Sequence, residues 1–219
     1  MNTGPQNSLS VAIANPLPLS WLGRADAPLS FPAWANIGRL TPAEIRNLVA
    51  QIGYDKSIWN YELVGSNNQL GRYQFATTTL ESYGLLTPGS NKAYGTNCVN
   101  YQACWHPATV KSANSNGNYN YNITSLQGFL TSRAAQDHLA YQVIYDLYTA
   151  LLRNTGIVAT DTDDVVAGMI YVGWNLGAGT APTSSNLSGT GAYAWRYFGI
   201  GDGTPPYNSG RYSITVLSQ

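Results

Sequence analysis

Apolar residues fall at helical spacing in three stretches of the chain, and polar, Gly- and Asn-rich segments separate them. The first stretch opens at Thr41-Pro42-Ala43-Glu44, a capping box with proline at the first helical position, and continues through Ile45, Leu48, Val49 and Ile52. Gly53 is expected to close or kink this helix, which puts Asp55 at its end or just past it. Asn60 to Phe75 reads as a hairpin or loop, and a short helix is expected from Ala76 to Tyr83, stopped by Gly84. Ser132 to Arg153 carries an apolar stripe of Leu139, Val143, Ile144, Leu147 and Leu151, and Gly156 ends it. A third helix is expected to start near Thr162-Asp163-Asp164, whose acids suit a helix N-terminus, and to run through Val165, Val166, Met169, Ile170 and Val172 toward Trp174. After a Gly/Ser/Thr loop at Gly179–Gly191, a short helix is read at Ala192–Phe198 and a strand-like alternation at Arg211–Gln219.

Two segments break the helical pattern. Residues 1–40 read as an extended arm, because Pro5, Pro16, Pro18, Pro28 and Pro32 exclude helix and central strand. The arm is apolar, with Arg24, Asp26 and Arg39 its only charged side chains, so it needs a surface to lie on: its own domain's or a neighbouring subunit's. Residues 85–124 read as a long irregular insertion within a folded region spanning 41–219, and a loop of that length is usually functional or an interface element. The fold class expected from this order is mainly α, of the α+β kind, with a small β-hairpin region.

Composition narrows the function classes. Of 219 residues, 44% are apolar, enough for a sizeable core, and only 10% are charged, against roughly a quarter in ordinary soluble domains. Net charge is formally zero, so the basic footprint of a nucleic-acid partner is missing. Sixteen Tyr and six Trp on a weakly charged chain point to a surface covered by glycan or by other protein chains. No run approaches the length of a membrane span, and the first twenty residues lack the charged-then-apolar pattern of a secretory signal. Cys98, Cys104 and His106 offer at most three zinc ligands at unusual spacing, so neither a metal site nor a cofactor is expected. The two cysteines form either a disulfide closing a short loop or a pair of reduced buried thiols.

With only eleven carboxylates in the chain, a near-complete audit for acid catalysis is possible. Glu44 serves the capping box, Glu81 is expected to face solvent, and Asp161, Asp163 and Asp164 cap a helix. Asp137 and Asp146 lie on the long helix among polar neighbours. Asp55 and Glu62 remain. Asp55 has Tyr54, Ile58 and Trp59 as an apolar surround and lies nineteen residues before Gln74, whereas Glu62 lies twelve before it. The plain alternative for Asp55 is a helix-end carboxylate bonding nearby backbone amides.

The segment Tyr54-Asp55-Lys56-Ser57-Ile58-Trp59-Asn60-Tyr61, followed by Gly71-Arg72-Tyr73-Gln74, resembles the lytic transglycosylase and goose-type lysozyme superfamily, with Asp55 where the family carries a catalytic Glu. Trp174-Asn175-Leu176-Gly177 resembles the family's late aromatic-Asn-x-Gly motif. The resemblance covers residues 42–200 and leaves the insertion unmatched. It implies a lysozyme-like helical domain in which a single acid cleaves peptidoglycan and in which Gly71, Tyr73, Gln74, Trp174, Asn175 and Gly177 line the glycan cleft. Asp in place of Glu shortens the reach by on the order of 1.5 Å, and a displacement of about 1 Å can cost ~100-fold in rate. Two functions are therefore expected. One is a structural protein of a tailed-phage virion, in the tail or baseplate, held to other virion proteins through the arm and the aromatic surface. The other is an active virion-associated muramidase or lytic transglycosylase acting on peptidoglycan. A glycan-binding module that has lost catalysis is a weaker third.

Overall fold

The structure is a computed structural model and describes residues 28, 36–38, 40–106, 109–110, 119–153, 157 and 163–176. The arm up to Ala27, Gly177, the Gly179–Gly191 loop, the Ala192–Phe198 helix and the Arg211–Gln219 strand lie outside the described residues. Helix makes up 59% of the described part and strands are few, so the fold is mainly α. Helix α1 spans Pro42–Ser57, α2 Thr77–Ser82, α3 Ser90–Tyr94, α4 Leu126–Thr131, α5 Arg133–Arg153 and α6 Asp163–Leu176. Strands β1 (Thr109–Val110) and β2 (Tyr119–Asn120) pair antiparallel, Thr109 opposite Asn120 and Val110 opposite Tyr119. Two 3-10 turns, Cys98–Asn100 and Gln102–Cys104, precede them.

The chain divides into two units. One comprises residues 1–27, 35–48 and 143–219, and the other residues 28–34 and 49–142. In the first unit Ile37 and Leu40, read from sequence as the end of an extended arm that needs a surface to lie on, are 1% exposed and bridge each other through reciprocal backbone bonds of 3.1 and 3.0 Å. Its core is built from Ile45, Leu48, Ile144, Leu151, Ile157, Met169 and Ile170. Gly173 of α6 faces Leu147 of α5: a Cβ at Gly173 would stand 3.1 Å from the leucine Cδ2, so the missing side chain sets how closely the two helices approach. The stripe read along α5 is buried at Leu139, Ile144, Leu147 and Leu151, with Val143 half-buried.

The core of the second unit is aromatic. Tyr73, Phe75, Phe129 and Trp105 form a chain of ring contacts, with centroids 5.6 Å apart from Tyr73 to Phe75, 6.3 Å from Phe75 to Phe129 and 5.7 Å from Phe129 to Trp105. The insertion is less irregular than expected. Leu86 bridges Trp105, the Thr87 N–H donates to the Cys104 C=O at 2.8 Å, and the Trp105 indole donates to the Val99 C=O at 2.8 Å. Helix α4 was not legible in the sequence, and Ser125 is its N-cap, with its Oγ accepting the Gly128 N–H at 3.0 Å.

Gly53 does not end α1. The helix continues another turn to Ser57, because the absence of a side chain at Gly53 makes room for Arg72: a Cβ there would lie 2.5 Å from the Arg72 Nε. The stop comes from the next two residues. Ile58 and Trp59 both take left-handed conformations (φ 51° and 63°), and the Trp59 N–H reaches back to the Gly53 C=O at 3.2 Å. The Trp59 indole donates to the Ala50 C=O at 3.0 Å, and its ring packs on Tyr54 at 5.0 Å. A β-branched residue in this region costs on the order of 1–2 kcal/mol, and Ile58 pays it while 74% exposed.

Candidate functional site

Residues 60–75 do not form a ladder. Pairing is reduced to isolated bridges, Val64 with Leu70 and Leu70 with Phe75, which enclose the Gly71-Arg72-Tyr73-Gln74 turn. Leu70 and Phe75 exchange two backbone bonds of 2.9 Å. The Gln74 amide Nε2 donates to the Gly71 C=O at 2.8 Å and to the Leu63 C=O at 3.2 Å, so this side chain braces the turn from within. Gln74 itself sits at φ 50°.

The turn is joined directly to the helix end that carries Asp55. The Ser57 Oγ donates to the Arg72 C=O at 2.7 Å, with the Gly53 C=O also in range at 3.1 Å, and Gly53 backs onto the Arg72 side chain. Two of the three segments singled out by sequence therefore come together. Asp55 is half-buried on the last turn of α1, next to Lys56, whose pKa is lowered by burial and partly restored by the Asp55 charge. Glu62 is exposed, and its backbone N–H donates to the Asn60 side chain at 2.9 Å. Trp174 is half-buried and Asn175 exposed, the latter donating its amide to the Tyr171 C=O at 2.9 Å one turn back on α6. Those two residues belong to the other unit.

Arg72 and Tyr73 turn fully inward, both 0% exposed, and Tyr73 meets a carboxylate that the sequence places among polar neighbours. That carboxylate, Asp137 on the long helix, is also 0% exposed. The Tyr73 hydroxyl donates to Asp137 Oδ1 at 2.6 Å, and the Tyr61 hydroxyl lies 2.8 and 3.0 Å from the two carboxylate oxygens. The Arg72 Nη1 donates to the Tyr61 oxygen at 2.7 Å, and its guanidinium stands 4.9 Å from the centre of the Tyr61 ring, with Arg133 at 5.2 Å. Gln136 completes the assembly. Its Oε1 accepts the Arg72 N–H at 2.8 Å, and its Nε2 donates toward the C=O groups of Phe129 (3.0 Å), Tyr61 (3.1 Å) and Leu130 (3.2 Å). Burial, then the nearby Asp137 charge, pushes the Tyr61 phenol up to about 12 and holds Tyr73 well above its ordinary value. Both phenols thus stay protonated donors across the physiological range.

This arrangement fixes what each carboxyl can do. Asp137 is sealed from solvent and cannot reach a glycosidic oxygen, so it is a structural anchor. Tyr73 offers no ring face to a glycan, and any part it plays in a cleft is to hold the wall. Asp55 and Glu62 are the acids of this region that solvent can reach. Glu81, expected to face solvent, is half-buried, with its Oε1 inside the protein. Among the described residues no three His, Cys, Asp or Glu side chains are grouped so as to hold a metal ion, and no helix is long and apolar enough to cross a membrane.

His138 follows Asp137 on α5 and is 1% exposed. Its Nδ1 meets the Tyr121 hydroxyl at 2.6 Å and its Nε2 the Gln142 amide at 3.2 Å, and burial lowers its pKa to about 4. An unfolded histidine titrates near 6.5, so between about pH 6.5 and 4 the unfolded chain binds a proton that the folded chain refuses. Stability is expected to be lost as the pH is lowered from about 6.5 to 4, and urea denaturation of His138→Gln should lose that part of the pH dependence.

Comparisons with protein-family models, with curated proteins and with solved structures find no match to this chain.

Proposed function

We propose that this chain is a structural component of a tailed-phage virion, at the tail or baseplate, built on a lysozyme-like scaffold whose glycan-cleaving activity is weak or lost. The observation that carries the reading is the inward turn of Arg72 and Tyr73, with the Tyr73 hydroxyl on Asp137 and the Arg72 guanidinium on Tyr61. The most recognisable motif of the chain is spent on holding the domain together. The acid left at the end of α1 is the short Asp55, where the resembling enzymes carry a Glu. Low charge and an aromatic-rich composition support a chain partnered by other proteins.

Zymography on purified peptidoglycan sacculi tests this. No clearing is expected from the purified protein at concentrations where a lysozyme clears fully. Clearing that vanishes in Asp55→Asn would replace the structural reading with that of a virion-borne lytic enzyme. The half-buried setting of Asp55, with the Tyr54 and Trp59 rings packed at the same helix end, is the observation that favours that second reading. Mass spectrometry of purified particles tests the virion assignment separately, since the protein should copurify with them at constant stoichiometry.

A further inference from the structure

Tyr94 ends α3 and Tyr101 lies between the two 3-10 turns, and both rings reach solvent, 46% and 49% exposed. Their centroids are 5.2 Å apart and their planes 30° from parallel, so the two rings form one aromatic platform on the insertion. The platform stands on a fixed base. The Tyr101 N–H donates to the Cys98 C=O at 2.9 Å, and the Tyr101 C=O accepts the Cys104 N–H at 3.0 Å. Cys98, Val99, Cys104 and Trp105 beneath it are buried, and the Trp105 indole holds the Val99 C=O at 2.8 Å. The Asn68 amide donates to the Thr96 C=O at 2.5 Å and to the Asn97 side chain at 3.1 Å, which ties the platform to the loop that leads into Gly71. Gly95, next to Tyr94, has φ 74° and nothing within 4 Å of where a Cβ would stand, so the ground beside the ring is open.

We infer that the Tyr94–Tyr101 platform is a binding site for an uncharged oligosaccharide, seated by stacking of pyranose rings on the two phenol faces. The C–H edges of a pyranose carry partial positive charge and match the negative face of an aromatic ring. The setting supplies the other half of sugar chemistry. Thr96, Asn97, Asn100 and Gln102 are all exposed around the rings, and amides and hydroxyls both donate to and accept from sugar hydroxyls. Charge points the same way. No Asp or Glu occurs in residues 82–136, and Lys92 is the only Lys or Arg in residues 82–106. Size decides against a protein occupant. Two half-exposed tyrosines offer roughly 200 Å², the footprint of one or two sugar rings, against about 800 Å² on each side of a stable protein interface. Ala93 and Ala103 are the exposed apolar neighbours, too small to extend the patch toward that figure. The site cleaves nothing, and the inference holds whether or not Asp55 is an active acid.

The full-length protein is mixed in turn with cellohexaose, maltohexaose, mannohexaose and chitohexaose, and binding is read by saturation-transfer NMR and isothermal titration. At least one hexasaccharide should bind, with an affinity that stays within about twofold between low and high salt, because no ion pair is involved. Tyr94→Ala and Tyr101→Ala should each weaken it about tenfold or more. Tyr101→Phe keeps the ring face and should stay within about threefold of the native protein, whereas Tyr101→Leu keeps an apolar side chain without a ring and should lose as much as the alanine. Both rings are half exposed, so these variants should fold, as circular dichroism and Tm will show. Should an alanine variant fail to fold, the Phe and Leu pair decides. Absence of binding to all four sugars would overturn the inference. So would binding that survives both alanine variants, since the sugar would then sit elsewhere on the protein. A dimer in sedimentation that both alanine variants abolish would assign the rings to a second copy of the chain and overturn it as well.

Discussion

Asp137→Ala should lower the unfolding free energy by about 3–5 kcal/mol, the range for breaking a buried charged network from one side. The carboxylate accepts from both Tyr61 and Tyr73 and lies in the same buried cluster as the Arg72 guanidinium. Its removal leaves two phenols and a cation inside the protein with fewer acceptors, and each group so stranded costs on the order of 1–3 kcal/mol. For a chain of this length the drop in Tm is about 10 °C, measured by calorimetry alongside urea titration. Tyr73→Phe removes one donor and keeps the ring in the aromatic chain, so about 1 kcal/mol is expected. The double variant should cost less than the sum of the two, with a coupling of about 1 kcal/mol or more. Strict additivity would mean that the 2.6 Å contact between Tyr73 and Asp137 contributes nothing.

Gly71→Ala is expected to cost about 3 kcal/mol, from two sources. Gly71 sits at φ 74°, where an alanine loses about 1–2 kcal/mol. A Cβ would also run into the Gln136 amide, with the Oε1 closest and the Cδ at 2.6 Å. Gln136 cannot swing away without releasing the Arg72 N–H and the carbonyls of Phe129, Leu130 and Tyr61. Gly89 supplies the control. Its φ is 78°, almost the same, but nothing lies within 4 Å of a Cβ built there. Gly89→Ala should therefore lose only the conformational part, and the difference between the two variants measures the collision. Equal losses would show that Gln136 yields and that the network is softer than its bonds imply.

The segments where periodicity is local were readable. The helix beginning at Pro42, the long run to Arg153 and the helix through Met169 and Ile170 are where the apolar spacing puts them, because one buried face per helix imposes the 3.6-residue repeat. Element ends were less legible. Gly53 looks like a stop and is instead a notch for Arg72, a side chain nineteen positions away, so the reason it is glycine lies outside its own helix. Helix α4 is only six residues long, too short to show a repeat, and its cap at Ser125 resembles any loop serine.

The candidate site was half legible. The sequence order of Asp55 and Gly71-Arg72-Tyr73-Gln74 pointed to one neighbourhood, and bonds from Ser57 and contacts from Gly53 join them. Asp137 was discounted because Gln136, Asp137 and His138 form a polar triplet, which along a helix normally marks the solvent face. All three are buried together, and the signal that could have exposed this is the apolar company on both sides of the triplet, Ala134-Ala135 and Leu139-Ala140-Tyr141.

The chain's own order of residues was enough to set a mainly helical protein, a weakly charged and aromatic-rich composition, and a short acid at a helix end. Those properties depend on near neighbours or on totals. Which carboxylate is sealed and which is reachable depended on partners 64 to 76 positions away, and so did the inward turn of a motif that reads like a cleft wall. A buried hydrogen-bonded charge is stable only once every partner is in place, so its role exists in the folded chain and in no shorter stretch of it.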